Sequence, residues 1–106
     1  MATFQNQSVK NVDTSDISAF TSTSDSTIVL SILIANTNGT GSADVTVTRK
    51  DNSDVNIGYL GYTVVVPADS NVDMLGNKFI LPSGEKLSIS SSVSGYLDAH
   101  FSYVVV

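Results

Sequence analysis

Apolar and polar residues alternate in short runs along most of this chain, and they nowhere repeat at helical spacing. One stretch stands apart. Residues 27–36, Thr-Ile-Val-Leu-Ser-Ile-Leu-Ile-Ala-Asn, form a long, nearly unbroken apolar run without a charge. Its β-branched residues suit a pleated surface better than a helix. Both faces are apolar: Ile28, Leu30, Ile32 and Ile34 on one, Val29, Leu33 and Ala35 on the other. Such a strand belongs in the middle of a sheet, covered on both sides. Turn formers at 36–42 end it, and 43–49 then alternates cleanly between apolar and polar.

The other segments cover this hairpin. A short alternating strand at 17–21 is followed by a turn at 22–26. Asp51-Asn52-Ser53-Asp54 is a hairpin signal. Apolar positions return over 55–66, where Gly58 and Gly61 predict a bulge or a break: either one bent strand, or a short strand, a kink and a second strand at 62–66. Short strands follow at 71–75, ended by Gly76 and Asn77, and at 78–81. A tight turn at 82–85 leads to the alternating strand 86–92. The last strand, 96–106, places Leu97, Ala99, Phe101, Tyr103 and Val105 on one face. Residues 1–16 are polar and weakly patterned, and Phe4 and Val9 fit either an edge strand or an arm that orders against a neighbour.

About eight short strands with frequent turns predict an all-β fold, a single antiparallel β-sandwich of jelly-roll or Ig-like type. Residues 1–16 are its N-terminal arm or edge segment, and 17–106 the sandwich domain. The expected inward set is Ile28, Leu30, Ile32, Ile34, Val45, Val47, Val64, Val66, Leu87, Ile89, Leu97, Ala99 and Phe101. The second apolar face of the central strand, Val29 and Leu33, then needs cover from the N-terminal segment or from another subunit.

Composition narrows the partners. With 106 residues the chain is one domain by size. It has no cysteine, hence no disulfide and no Cys-ligated metal. The formal net charge is −5 with only five basic residues, so there is no basic patch to meet nucleic acid or an anionic membrane. No apolar run is long enough to cross a bilayer as a helix, and residues 1–7 do not read as a signal peptide. Charged residues are only 14% of the chain, so polarity rests on Ser, Thr and Asn, and such surfaces can pack against other proteins with little charge to desolvate.

Candidate chemistry is sparse. His100 is the single histidine and faces outward beside Asp98 and Ser102; residues two apart in a strand point the same way and lie too far apart to relay a proton. Asp51, Asp54 and Asn56, with Asn52 and Ser53, form a loose oxygen-rich loop that lacks the calcium-loop glycine and glutamate, and Asx turn chemistry explains it better. Asp69 and Asp73 flank a turn. Tyr59, Tyr62, Tyr96 and Tyr103 can stack on sugars or anchor an interface, although the core edge is their commoner place. The acceptor triplets at Asn6 and Asn38 are chance matches in an Asn/Ser/Thr-rich chain. No P-loop, dinucleotide fingerprint, metal-ligand spacing or nucleophile elbow occurs. No catalytic residue, cofactor or metal ligand is therefore assigned, and the chain is expected not to be an enzyme.

The order of features resembles a group of small virion structural proteins of tailed bacteriophages. An apolar strand ends in Ala35-Asn36-Thr37, and a Gly/Ser turn leads to a Val/Thr strand at 43–49. A Pro67-x-x-Ser70 turn precedes Val72-Asp73-Met74-Leu75. The hairpin Lys-Phe-Ile-Leu-Pro-Ser-Gly-Glu-Lys-Leu follows at 78–87, and Ser-Gly-Tyr-Leu-Asp-Ala-His-Phe-Ser-Tyr closes the pattern at 94–103. The likeness spans 28–105 and lies in strand order and turn wording; the Pro-x-Gly turn of that group is replaced here by 22–26. It implies a β-sandwich in capsid decoration (cement), the head–tail neck or the tail, assembled in the host cytoplasm. The partners would be other virion proteins and further copies of the chain, with neither nucleic acid nor membrane. A carbohydrate- or receptor-binding module of a tail fibre or tip is the alternative, and it would expose Tyr59, Tyr62 or Tyr96 together on one rim. If residues 1–16 are an arm, deleting 1–14 abolishes assembly and leaves the fold intact; normal incorporation of the truncated chain would rule the arm out.

Overall fold

The chain, seen in a computed structural model that describes residues 3–23, 26–75 and 78–105, is built from strands alone among those residues. They are β1 (Thr3–Val9), β2 (Ile17–Thr21), β3 (Ser26–Asn36), β4 (Ala43–Lys50), β5 (Asn56–Val66), β6 (Asn71–Asp73), β7 (Phe79–Pro82), β8 (Lys86–Ser91) and β9 (Leu97–Val105). Parts of two expected turns, Ser24 with Asp25 and Gly76 with Asn77, lie outside the described residues, as do Met1, Ala2 and Val106.

Two antiparallel sheets pack face to face. The first has the order β1-β9-β3-β6, with β7 also paired to β3, and the second β2-β8-β4-β5. β6 pairs with residues 33–35 of β3 and β7 with residues 26–29, so these two short strands share one place in the sheet. The chain alternates between sheets through β1 to β4 and closes with β9 between β1 and β3, which is the double Greek-key wrap of a jelly roll. The apolar run is the central strand of the first sheet, as its composition predicts.

Its two faces are not those expected. β9 keeps a regular alternation, and both Phe101 and Tyr103 point inward. Their partners on β3 are Ile32 and Val29, three residues apart, because the register shifts between Val29 and Ser31. Leu30 is the extra residue of this β-bulge, and it reverses the phase of everything before it. Thr27 and Val29 are therefore buried, followed by Ile32, Ile34 and Asn36. Ile28 and Leu30, expected inside, are only half-buried on the outer face with Leu33.

The rest of the expected core is in place: Val45, Val47, Val66, Leu87, Ile89, Leu97, Ala99 and Phe101 are fully buried, and Val64 packs against them half-buried. Val12, Ala19, Phe20, Ala43 and Leu81 complete it. Phe20 crosses from the second sheet to meet Phe101 edge-on at 5.6 Å and to stack on Tyr103 at 4.6 Å. A second bulge, between Ser18 and Phe20 against β8, turns both Ala19 and Phe20 inward.

Asn36 closes the end of β3. Its buried carboxamide Nδ2 donates to the carbonyls of Gly41 and Val66, each at 3.0 Å, and its Oδ1 accepts from the Asn38 amide at 2.8 Å. One side chain thus ties the β3–β4 turn to the end of β5, which matches the place of Asn36 in the sequence pattern.

Residues 3–9 form the edge of the first sheet, paired with β9 over their whole length, and Val12 sits in the core. Deleting 1–14 would strip that strand and that core residue, so the truncation is expected to damage the fold itself and does not isolate an arm. The phase of β3 is testable. Ile32→Ala is expected to cost about 2–5 kcal/mol in urea unfolding, whereas Ile28→Ala costs about 1 kcal/mol or less, because the half-buried side chain leaves little cavity. Equal losses would contradict the bulged register.

Candidate functional site

Two surfaces stand out, one on the outer face of each sheet. On the first sheet the register lines up four apolar residues across four strands: Phe4 on β1, Val104 on β9, Ile28 on β3 and Ile80 on β7. Phe4 is 76% exposed and Ile80 59%, while their neighbours cover Val104. The next row, Asn6, Ser102 and Ser31, is uncharged. Further along, Leu33 pairs with His100 and remains exposed. The apolar cover expected of the Val29/Leu33 face is thus needed on a different set, with Val29 inside.

On the second sheet an open groove of about 480 Å³ runs along β4 and β5. Its walls include Asp16, Thr46, Asp54, Asn56, Tyr59 and Tyr62. The edge strand β5 shapes it. The pairing of β5 with β4 shifts register three times, and Thr63 adopts a left-handed φ of 48°. In a regular strand residues three apart point to opposite faces. Here the extra residue at Leu60, between Gly61 opposite Val47 and Tyr59 opposite Thr48, brings Tyr59 and Tyr62 to the same side. Their rings lie 4.7 Å apart at 57°, with the residues 52% and 62% exposed.

Charges around the groove are paired. Lys50 Nζ donates to Asp16 Oδ2, which also accepts from Ser88 Oγ at 3.1 Å. Lys86 Nζ lies 2.6 Å from Asp54 Oδ1, and Arg49 meets Glu85 just beyond. Asn56 Oδ1 accepts from the Gly58 amide.

The other sequence candidates are dispersed. His100 is exposed, with Nδ1 3.0 Å from the Ser8 hydroxyl on the neighbouring strand, and the Asp98 carboxylate accepts from the Asn11 amide. Ser102 shares the strand but makes no contact with the ring among the interactions of the described residues. Asp51 Oδ1 accepts from the amides of Ser53 and Val55, which is the Asx chemistry expected of this turn. Asp73 accepts from Leu75 of its own segment, and Asp69 lies in a separate turn hydrogen-bonded to Asn38. Among the described residues no group of three or more His, Cys, Asp or Glu side chains is placed to hold a metal ion. Tyr96 is half-buried against Gly41, and Tyr103 stacks in the core edge while its hydroxyl donates to Gln5. Of the four tyrosines, Tyr59 and Tyr62 alone meet on one rim.

The Lys86 ammonium, hydrogen-bonded to its carboxylate, holds Asp54 below the ordinary value of 3.8. A lowered carboxylate favours the folded state above that value, and the contribution disappears as the pH falls through the folded-state pKa. In Lys86→Gln, Asp54 is expected to titrate higher than in the parent, read by carboxyl-carbon NMR. An unchanged midpoint would show that the pair does not persist in solution.

No protein-family model matches the sequence. No curated protein matches it either. Solved structures do match in fold. A protein of the infectious bursal disease virus particle aligns at a TM-score of 0.57 with 8% identity, over 97% of this chain and 30% of that one. A mutant VP2 protein of the same virus, from derived particles, aligns at 0.54 with 12% identity, over 98% and 32%. The VP2 subviral particle aligns at 0.51 with 9% identity, over 98% and 32%. This chain spans about a third of the length of these proteins. At such identities the likeness is one of fold, and it extends over nearly all of this chain.

Proposed function

We propose that the chain is a non-enzymatic structural subunit of a virion, acting through protein–protein packing. The finer reading is a capsid-decoration (cement) or head–tail neck component of a tailed-phage particle, assembled in the host cytoplasm. The observation that carries it is the row Phe4, Val104, Ile28 and Ile80, a band of apolar side chains on the outside of a sheet with uncharged neighbours. Burying such a band removes hydrocarbon from water and desolvates little charge. β1, at the edge of the same sheet, adds backbone groups that a neighbouring strand can pair with. The fold likeness to proteins of a virus particle supports the reading, as does the resemblance in strand order and turn wording. Other virion proteins and further copies of this chain are the partners it implies, with no role for nucleic acid or membrane.

A second reading, a carbohydrate- or receptor-binding module, is favoured by one observation: the joint exposure of Tyr59 and Tyr62 beside the groove.

Light scattering on a sizing column tests the first reading. The chain is expected to form a stable trimer or larger ring, and Ile80→Asp to reduce it to monomer without lowering its melting temperature, because Ile80 is largely exposed. An oligomer indifferent to Ile80→Asp would discard the apolar row as the interface. A monomer at all concentrations would discard self-association in solution and confine the subunit to packing on a preformed lattice.

A further inference from the structure

We infer that the groove between β4 and the edge strand β5 is a binding site for a neutral saccharide, with Tyr59 and Tyr62 as its stacking platform. The inference takes up the second reading's tyrosine pair and is independent of the virion reading. Four observations converge on it.

The first is the shape. At about 480 Å³ the groove falls in the size range of small-ligand sites, and its openness suits a segment of a longer chain better than an enclosed molecule. The second is the aromatic pair. Two tyrosine rings stand more than half exposed and in contact with each other, where they gain little from the core. Their faces offer apolar area to the C–H side of a pyranose ring while their hydroxyls stay wet.

The third is the backbone that puts them there. A regular β5 would separate Tyr59 and Tyr62 onto opposite faces; the bulge at Leu60 unites them, and Thr63 beside them sits in the left-handed region. Bulges re-aim side chains, and non-glycine residues at positive φ collect at functional sites because the local cost needs an offsetting role. The Thr63 amide is held by Thr46 Oγ1 at 3.1 Å, which fixes the distorted segment to the groove floor.

The fourth is the polarity of the walls. Asp16 and Asp54 each engage a lysine through one carboxylate oxygen, and Asn56 uses its Oδ1 on Gly58. That leaves the second oxygen of each aspartate as an acceptor and the Asn56 amino group as a donor, a set that matches vicinal hydroxyls. The lysines stand in ion pairs, so an anionic ligand such as a phosphate or a sialylated glycan meets carboxylates without a spare cation. Charge balance selects a neutral sugar.

The test is titration of the ¹⁵N-labelled full chain with neutral gluco-, manno-, galacto- and N-acetylglucosamine tetrasaccharides, with sialyllactose as the anionic comparison. The expected result is saturable shifts confined to β5, residues 46–50 and Asp16 for at least one neutral sugar. Tyr59→Ala and Tyr62→Ala should each weaken that sugar about tenfold or more while leaving the melting temperature unchanged. No saturable shift with any neutral sugar, shifts elsewhere on the protein, indifference to both tyrosine substitutions, or tighter binding of sialyllactose would each overturn the inference. Light scattering with Ile80→Asp reads the apolar row on the opposite sheet, so the virion reading stands or falls separately.

Discussion

The antiparallel ladder between β3 and β9 is the constraint on which the rest of the fold depends. It joins the most apolar strand to the one that carries Phe101 and Tyr103, and both are inner strands of the first sheet. Every inward residue of that sheet is set by this register. The single extra residue at Leu30 lets Val29 and Ile32 both face inward against a partner that never breaks its alternation. Phe20, arriving from the opposite sheet, then finds Phe101 and Tyr103 side by side and locks the two layers together. Jelly-roll wrapping follows from the same placement, since β9 can lie between β1 and β3 only if the last strand returns to the sheet that the first began.

The second sheet is organised in the opposite manner. Its inner strands β8 and β4 pair without a shift, and the irregularity is concentrated in the edge strand β5. A bulged edge is a poor template for a further strand, which protects a β protein from unwanted pairing. Three ion pairs, Arg49–Glu85, Lys50–Asp16 and Lys86–Asp54, gather near one end of this sheet. Being partly or wholly solvated, they add little to stability, and their larger effect is to fix side chains around the groove and keep its charge balanced. The two outer faces thus differ in kind: one carries an apolar row beside uncharged positions, the other is polar and charge-paired.

Much of this was legible in the sequence. Strand order, the turns, the central place of 27–36 and most of the core follow from alternation and from Gly, Pro, Asn and Asp at the turns. What alternation cannot carry is a bulge, because a period of two has no way to announce an extra residue. Alternation places Ile28 and Leu30 inside for that reason, and it gives no sign of Ala19 beside Phe20; that Tyr59 and Tyr62 share a rim follows only from the binding-module alternative, not from the period. The glycines at 58 and 61 did signal an irregular β5, but not which side chains it would unite. Val12 sits in a polar stretch with no period, so nothing nearby marked it as core. Its burial depends on long-range closure, with backbone bonds from the Val12 amide to Leu97 and from the Gly95 amide back to the Val12 carbonyl.

The extra residue in β3 also bears on how such a chain can change. Were Leu30 paired as an ordinary residue of the ladder, the strand would run in one phase from end to end, turning Ile28 inward and Thr27 and Val29 to solvent. The outer apolar row would lose its middle member although not one of its side chains had been altered. The character of that surface is therefore written in the register of the ladder as much as in residue types. Exchange of Ile28 for another aliphatic residue leaves the row standing, and so does loss of the bulged Leu30 itself, whereas pairing Leu30 into the ladder rebuilds both the core and the surface at once.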